Sequence, residues 1–147
     1  MFQQIEEYFA QNLGSYLERV WQHLELSFGA LFIAILIGLP LGYLGYKHKG
    51  ARVLTSGLIQ ALRVIPSLGI LFLLIPFLAV GTVPALLARL ILAVPPILIN
   101  TILGFSEVSE TLLETGLGLG MNEGQLFARV SFPLALPHIL NGMKLAL

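Results

Sequence analysis

The chain has 147 residues, of which 56% are hydrophobic and only 11% are charged, and its mean hydropathy is +0.88. Soluble domains carry about 25% charged residues, so this composition argues against a soluble protein and favours an all-α chain that crosses a lipid bilayer several times. The formal net charge is zero, which provides no basic surface for nucleic acid. The absence of cysteine excludes disulfides and thiolate metal sites.

Residues 1–22 form an amphipathic segment whose apolar side chains recur at helical spacing. The pattern is interrupted at 12–14, and Ser15 followed by Glu18 has the spacing of an N-terminal capping box. We therefore expect a separate helix to begin near Tyr16.

Residues 26–46 carry no charge and match the length of about 20 residues that a bilayer core requires, so they are predicted to form the first transmembrane helix. Small residues recur every four positions along one face of this helix: Ala30, Ala34, Gly38 and Gly42. Such a face lets another helix approach closely, although the small residues could instead relieve a kink at Pro40.

The densest basic cluster of the chain follows this helix and consists of Lys47, Lys49 and Arg52. By the positive-inside rule, the loop that carries it is cytoplasmic, which places the N-terminus outside. Tyr43 and Tyr46, just before the cluster, are expected to anchor the helix at the interface.

Residues 54–80 are long enough to form a second span, with Arg63 within it and prolines at 66 and 76. A proline leaves a backbone carbonyl without its helical partner, and broken helices often line the path of transporters. Pro66 and Ser67 are therefore candidate path residues, with a purely structural kink as the alternative.

Residues 83–103 are predicted to return to the inside, after a turn at Gly81 and Thr82. Arg89 lies near the outer end, where its side chain can reach the interface. Asn100 and Thr101 are candidates for hydrogen bonds across helices and for the translocation path, unless they only cap the helix end.

Three crossings from an external N-terminus bring the polar stretch 106–133 into the cytoplasm. We expect Ser106 or Ser109 to cap a first short helix that carries Glu107 and Glu110 in its opening turn.

A second short helix is predicted from about 123 to 131, with a stop at Pro133. Asn122 and Gln125 have the spacing of a capping box, and Met121 and Leu126 that of a hydrophobic staple. An ordinary interhelical loop with well-capped helices is the alternative interpretation.

From Leu134 a new apolar segment begins, and the stretch 134–147 is shorter than the about 20 residues that a span needs. We therefore expect about three full spans, the start of a fourth, and a truncated chain. His138 is expected to be solvated or to cap a helix. Lys144 either reaches towards the interface or lines a cavity.

The stretch 106–133 contains Glu114-Thr115-Gly116, three residues, Gly120, nine residues and then Val130-Ser131-Phe132-Pro133. This spacing resembles the Glu-Ala-Ala loop of binding-protein-dependent ABC importer permeases, with Thr115 and Gly116 in place of the two alanines. The run Ile65-Pro66-Ser67-Leu68 resembles the osmoprotectant permeases for glycine betaine, carnitine and choline.

The resemblance implies a type I ABC importer transmembrane domain over 23–147, incomplete at its C-terminus, after an external segment 1–22. It implies a bacterial cytoplasmic membrane location, a homo- or heterodimer of permease subunits, two ATPase subunits and an external substrate-binding protein. The chain itself would hold no cofactor, since the ATPase partner would bind ATP and Mg²⁺. The residues that the resemblance assigns to the ATPase contact are Glu114, Thr115, Gly116, Gly120, Asn122, Glu123, Leu126, Val130 and Pro133.

Three other functions stay open at this point: a permease for methionine, a sulfonate or a bile component; a membrane scaffold that transports nothing; and a permease fragment. No Gly-rich loop followed by Lys-Ser or Lys-Thr occurs, so ATP hydrolysis by this chain is not expected. Neither a catalytic constellation nor a metal site is indicated by the three scattered histidines.

Overall fold

The computed structural model describes residues 2–48, 57, 67–79 and 81–147, with the backbone alone for 2–11, 67 and 68. Within these ranges the secondary structure is helical throughout, which confirms the all-α prediction. The helices are α1 (Phe2–Lys47), α2 (Ser67–Leu78), α3 (Thr82–Ser106), α4 (Glu110–Gly118), α5 (Glu123–Leu126) and α6 (Phe132–Ala146), with a π-helical segment (Phe127–Ser131) between α5 and α6.

Two of the described helices are long and apolar enough to cross a membrane, Asn12–Lys47 within α1 and Thr82–Ser106. The helix α2 contains a shorter apolar stretch, Gly69–Leu78. Most of the second predicted span lies outside the described residues, and so do Arg63 and Pro66.

The helix α1 runs without interruption from Phe2 to Lys47, so the break predicted at 12–14 is wrong. A weak helix former inside a long helix costs at most about 1 kcal/mol, whereas beginning a new helix requires a costly nucleus. Continuing through Gly14 is therefore cheaper than stopping and starting again.

The small-residue face of α1 packs against α3, which confirms the predicted close approach and identifies its partner. A Cβ built on Gly42 would lie 2.6 Å from Cβ of Thr101, and one built on Gly38 would lie 2.9 Å from Cγ2 of Ile97. Further out along the same interface, Ala34 and Ile97 are both fully buried.

The other side of α3 packs equally closely against α6, so α3 is the central helix. A Cβ on Gly104 would lie 2.8 Å from the carbonyl oxygen of Ala135, and a Cβ on Gly142 would lie 2.9 Å from that of Pro96. These two contacts show that α6 runs antiparallel to α3. This packing also places Asn100 of α3 opposite Asn141 of α6.

Gly42→Ala is expected to lower the free energy of unfolding in detergent by about 1–3 kcal/mol, because the added methyl group overpacks the α1–α3 contact. Gly29→Ala is the matched control, since a Cβ at Gly29 meets nothing within 4 Å on the same helix. The control should be neutral or gain up to about 1 kcal/mol from helix propensity. Thermal unfolding of both variants in one detergent makes the comparison, and equal midpoints would contradict the packing described here.

Candidate functional site

The stretch 106–133 joins α3 to α6 and forms a helical hairpin. Its first helix, α4, begins at Glu110 with Ser109 at the N-cap position, although the Ser109 side chain makes no capping hydrogen bond. The alternative cap, Ser106, is wrong because α3 continues through Ser106 to its C-cap at Glu107.

The turn after α4 is fixed by Gly120, whose φ is 82°. The amide of Gly120 donates to the carbonyl of Leu117 at 2.9 Å, and the amide of Met121 donates to that of Gly116 at 3.1 Å. This pair of bonds is the Schellman motif, in which the left-handed residue after the C-cap is usually glycine because a Cβ is disfavoured there.

The helix α5 begins with the capping box that the sequence predicts. The Asn122 amide donates to Oε1 of Gln125 at 3.1 Å, and the Gln125 amide donates to Oδ1 of Asn122 at 2.9 Å. Met121 and Leu126 converge on Gly116, as a hydrophobic staple requires: a Cβ there would overlap Cδ1 of Leu126 and lie 3.5 Å from Sδ of Met121.

The predicted helix stop at Pro133 is wrong, because helical backbone continues from α5 through the π-helical segment into α6. The amide of Phe132 donates to the carbonyl of Phe127, five residues back. Pro133 then falls in the first turn of α6, where the missing amide hydrogen of a proline is tolerated. The π turn therefore joins the hairpin to α6 by continuous helical backbone.

Five aromatic side chains from α1, α3 and the hairpin meet beneath α5, and we name them the aromatic cluster: Tyr43, Tyr46, Phe105, Phe127 and Phe132. Ring centroids lie 5.0 Å apart for Tyr43 and Phe105, 5.1 Å for Tyr43 and Phe127, and 5.7 Å for Phe105 and Phe127. These are the separations and tilts at which aromatic pairs attract each other.

Sequence reasoning missed this cluster. Tyr43 and Tyr46 were expected only as interface anchors, and Phe105, Phe127 and Phe132 were not assigned any role. The signal available in the sequence is that aromatic residues stand near the C-terminal ends of α1 and α3 and in the segment that leads into α6, although the pairing itself is not encoded locally.

A groove of about 310 Å³ separates the aromatic cluster from α4 and α5. Lys47 and Glu123 stand at its edges, and Nζ of Lys47 lies 5.3 Å from the ring centroid of Tyr43. The groove therefore lies between the hairpin and the two long helices α1 and α3, and the aromatic cluster supplies the direct contacts between them.

The residues assigned to the ATPase contact occupy this hairpin, six of them exposed and three wholly or partly buried. Glu114, Thr115, Gly120, Asn122, Glu123 and Pro133 are exposed, Gly116 is buried, and Leu126 and Val130 are half-buried. Beside them, the large apolar side chains of Leu112, Leu117 and Leu119 are 47%, 53% and 75% exposed. Exposed leucines grouped with polar residues are typical of a protein-binding surface.

A side-chain contact that was not expected from the sequence joins α3 and α6 at the base of the hairpin. Nε2 of His138 on α6 lies 2.8 Å from Oε2 of Glu107, just after α3. His138 was expected to be solvated or to cap a helix, and it instead links the two helices that flank the hairpin.

The path candidates lie at different places. Asn100 is largely buried, donates to the carbonyl of Pro96 at 2.8 Å and accepts from Nδ2 of Asn141 at 3.2 Å, so it does bond across helices. Thr101 is fully buried against Gly42 and donates to the carbonyl of Ile97 in its own helix. Pro66 and the Ser67 side chain lie outside the described residues.

Arg89, in the N-terminal third of α3, joins that helix to the middle of α1. Its Nη1 donates to Oγ of Ser27 at 2.7 Å, and its Nη2 lies 2.9 Å from Nδ1 of His23. Both terminal nitrogens of the guanidinium thus contact α1, so Arg89 links the two helices.

Gly120→Ala is expected to destabilise the hairpin turn by about 1–2 kcal/mol, because alanine is disfavoured in the left-handed conformation. Gly118→Ala is the control, since it lies in α4 and a Cβ there meets nothing within 4 Å. Hydrogen exchange at the amides of residues 120 and 121 should accelerate about tenfold or more in the first variant alone. Unchanged protection in Gly120→Ala would contradict the role assigned to this turn.

Comparison with known proteins places this helical architecture among transporters. Residues 21–147 match the family described as "Binding-protein-dependent transport system inner membrane component". The carnitine transport permease protein OpuCB of Listeria monocytogenes is 37% identical over 142 residues, which cover 97% of this chain and 65% of that protein. The choline transport system permease protein OpuBB of Bacillus subtilis is 35% identical over 140 residues, covering 95% and 64%.

A third relative combines two functions in its name. The ergothioneine transport permease/ergothioneine binding protein EgtU of Helicobacter pylori is 35% identical over 115 residues, which cover 78% of this chain and 21% of that protein. The chain thus spans about 65% of the length of the carnitine and choline permeases. With its family match over 21–147, the chain belongs to the inner membrane components of binding-protein-dependent transport systems.

Proposed function

We propose that the chain is the membrane-spanning permease subunit of an ATP-driven importer for a small quaternary ammonium solute. The names of three relatives specify carnitine, choline and ergothioneine, each of which carries a trimethylammonium group. The trimethylammonium group is therefore the chemical feature that the solutes named for these three relatives have in common.

The observation that carries the coupling part of the proposal is the construction of the hairpin. Its turn is fixed by the Schellman motif, its second helix by the capping box, and its base by the aromatic cluster and the His138–Glu107 pair. A force applied to α5 would therefore reach α1, α3 and α6 through direct contacts instead of being absorbed by a flexible loop.

In the proposed mechanism, the ATPase subunit binds ATP and Mg²⁺, and this chain contributes no group to that chemistry. ATP-driven closure of the two ATPases would displace the hairpin, which we call the coupling loop (106–133), together with the membrane helices behind it. The coupling loop must make different contacts in the two states of the cycle, because a ligand shifts an equilibrium only through differential affinity.

The proposed assembly has two permease subunits, two ATPases on the cytoplasmic side and an external binding protein. The fusion of a permease and a binding protein in the name of the ergothioneine relative supports the last of these partners. The basic residue Lys47 and the coupling loop are assigned to the cytoplasmic side, and the N-terminus to the outside, by the positive-inside rule.

The ATPase contact is tested by reversing one charge on the exposed face of α4. Glu114→Lys should abolish or strongly reduce co-purification of the ATPase and lower solute uptake about tenfold or more, because it puts the wrong charge into the contact. The comparison uses membranes that contain the chain with its native ATPase and binding protein. Recovery of ATPase and the initial rate of carnitine or choline uptake are the two measurements.

Glu110→Lys is the matched control, since Glu110 is equally exposed in the same helix, one turn away and outside the assigned contact. It should retain most of the ATPase and most of the uptake. Equal losses in both variants would show that any charge reversal on α4 reduces ATPase recovery and uptake, whatever its position. Retention of ATPase by Glu114→Lys would refute the assigned contact, and the absence of an ATPase partner for the unaltered chain would refute the importer.

A further inference from the structure

The helix α6 is apolar apart from His138 and two polar residues nearer its C-terminal end, Asn141 and Lys144. Asn141 and Lys144 are both exposed and are three positions apart, so they share one face of the helix. Within the part of the chain that the structure describes, no carboxylate lies within salt-bridge distance of Lys144. Glu107 is the carboxylate that contacts a basic side chain there, and its partner is His138.

The contacts of α6 with α3 give the depth of Lys144. Gly142 touches Pro96 and Ile97, and Met143 packs on the cluster formed by Ala34, Ala93 and Ile97. Because α6 is antiparallel to α3, Lys144 is level with the middle of the 82–106 helix. Measured from Phe132, the first residue of α6, Lys144 lies about 18 Å along the helix axis, at about 1.5 Å per residue.

A lysine at this depth cannot be accommodated by lipid at low cost. The hydrocarbon core is about 30 Å thick, so its middle is about 15 Å from either interface. Charged residues there face protein or a water-filled cavity and mark the routes of substrates and ions. Substrate sites of transporters lie near the same depth.

A second helix contributes to the same polar region. Nδ2 of Asn141 donates to Oδ1 of Asn100 at 3.2 Å, and Asn100 in turn donates to the carbonyl of Pro96. The amide of Asn141 is thereby held by a hydrogen bond to α3, although the residue as a whole is exposed. Asn100 thus supports Asn141 from α3, and Lys144 follows about one turn later on the exposed face of α6.

We infer that Lys144, on the same exposed face of α6 as Asn141, binds the carboxylate of a zwitterionic solute on the translocation path. The inference rests on the proposed function and narrows it: among quaternary ammonium solutes, those with a carboxylate, such as carnitine, are favoured over those without one, such as choline. The ammonium of Lys144 attracts a carboxylate through a charge-assisted hydrogen bond. It repels a solute that carries only a positive charge.

The test compares uptake of labelled carnitine and labelled choline in cells that lack other uptake systems for both and that express the chain with its native ATPase and binding protein. Initial rates are measured well below half-saturation, and the readout is the ratio of carnitine to choline. Lys144→Gln should lower this ratio about tenfold or more, the size expected for losing one charge-assisted hydrogen bond. Lys144→Arg should restore it.

Arg19→Gln is the control, because it removes the same charge from an exposed position of α1 far along the chain from this face; it should leave the ratio unchanged. Co-purification of the ATPase with each variant shows whether the complex still assembles. An intact complex with a shifted ratio supports the inference.

Two results would overturn the inference: an unchanged ratio in Lys144→Gln, which includes an equal fold loss of both solutes, or an unaltered importer that accumulates choline but not carnitine. An unaltered importer that accumulates neither solute refutes the proposed function itself, and the role of Lys144 falls with it. Uptake of carnitine that does not depend on Lys144 refutes the inference alone.

Discussion

Close backbone approach to one central helix is the constraint on which the structure depends. Moving an apolar side chain from lipid to the surface of another helix gains little free energy, because lipid tails are equally apolar. Helices in lipid therefore associate through tight packing and a few hydrogen bonds. The helix α3 meets α1 at Gly38 and Gly42 and meets α6 at Gly142. A single methyl group at these positions would overlap the neighbouring helix.

The same packing continues from the membrane helices into the coupling loop. Near the end of α1 the small-residue face gives way to Tyr43 and Tyr46, which contact Phe105 near the end of α3, so the narrow interface widens into the aromatic cluster. Phe127 from the π-helical segment completes it. Because π turns widen a helix by one residue and are frequent at functional sites, the junction can hold Phe127 in the cluster and still let α6 continue. The coupling loop is thereby in direct side-chain contact with α1 and α3.

Local patterns in the sequence predicted local structure well. The capping box of Asn122 and Gln125 was predictable because both partners lie within one turn, and the small-residue face predicted close packing without revealing that α3 is the partner. Pro133 was misread as a helix end because the sequence does not announce the π turn that accommodates it. The break at 12–14 was wrong because the cost of starting a helix exceeds the cost of one glycine. The aromatic cluster and the His138–Glu107 pair join residues from distant elements, so no spacing rule could predict them.

In the proposed importer, the coupling loop lies on the cytoplasmic side and receives force from an ATPase. The chain has no cysteine, so Asn122→Cys creates a single reactive site at the exposed tip of the hairpin. Sealed cells are treated with a membrane-impermeant thiol reagent, and opened membranes are treated in parallel. The orientation proposed here predicts labelling only after the membranes are opened, and protection when the ATPase is bound. Labelling of intact cells would contradict the orientation and, with it, the importer mechanism.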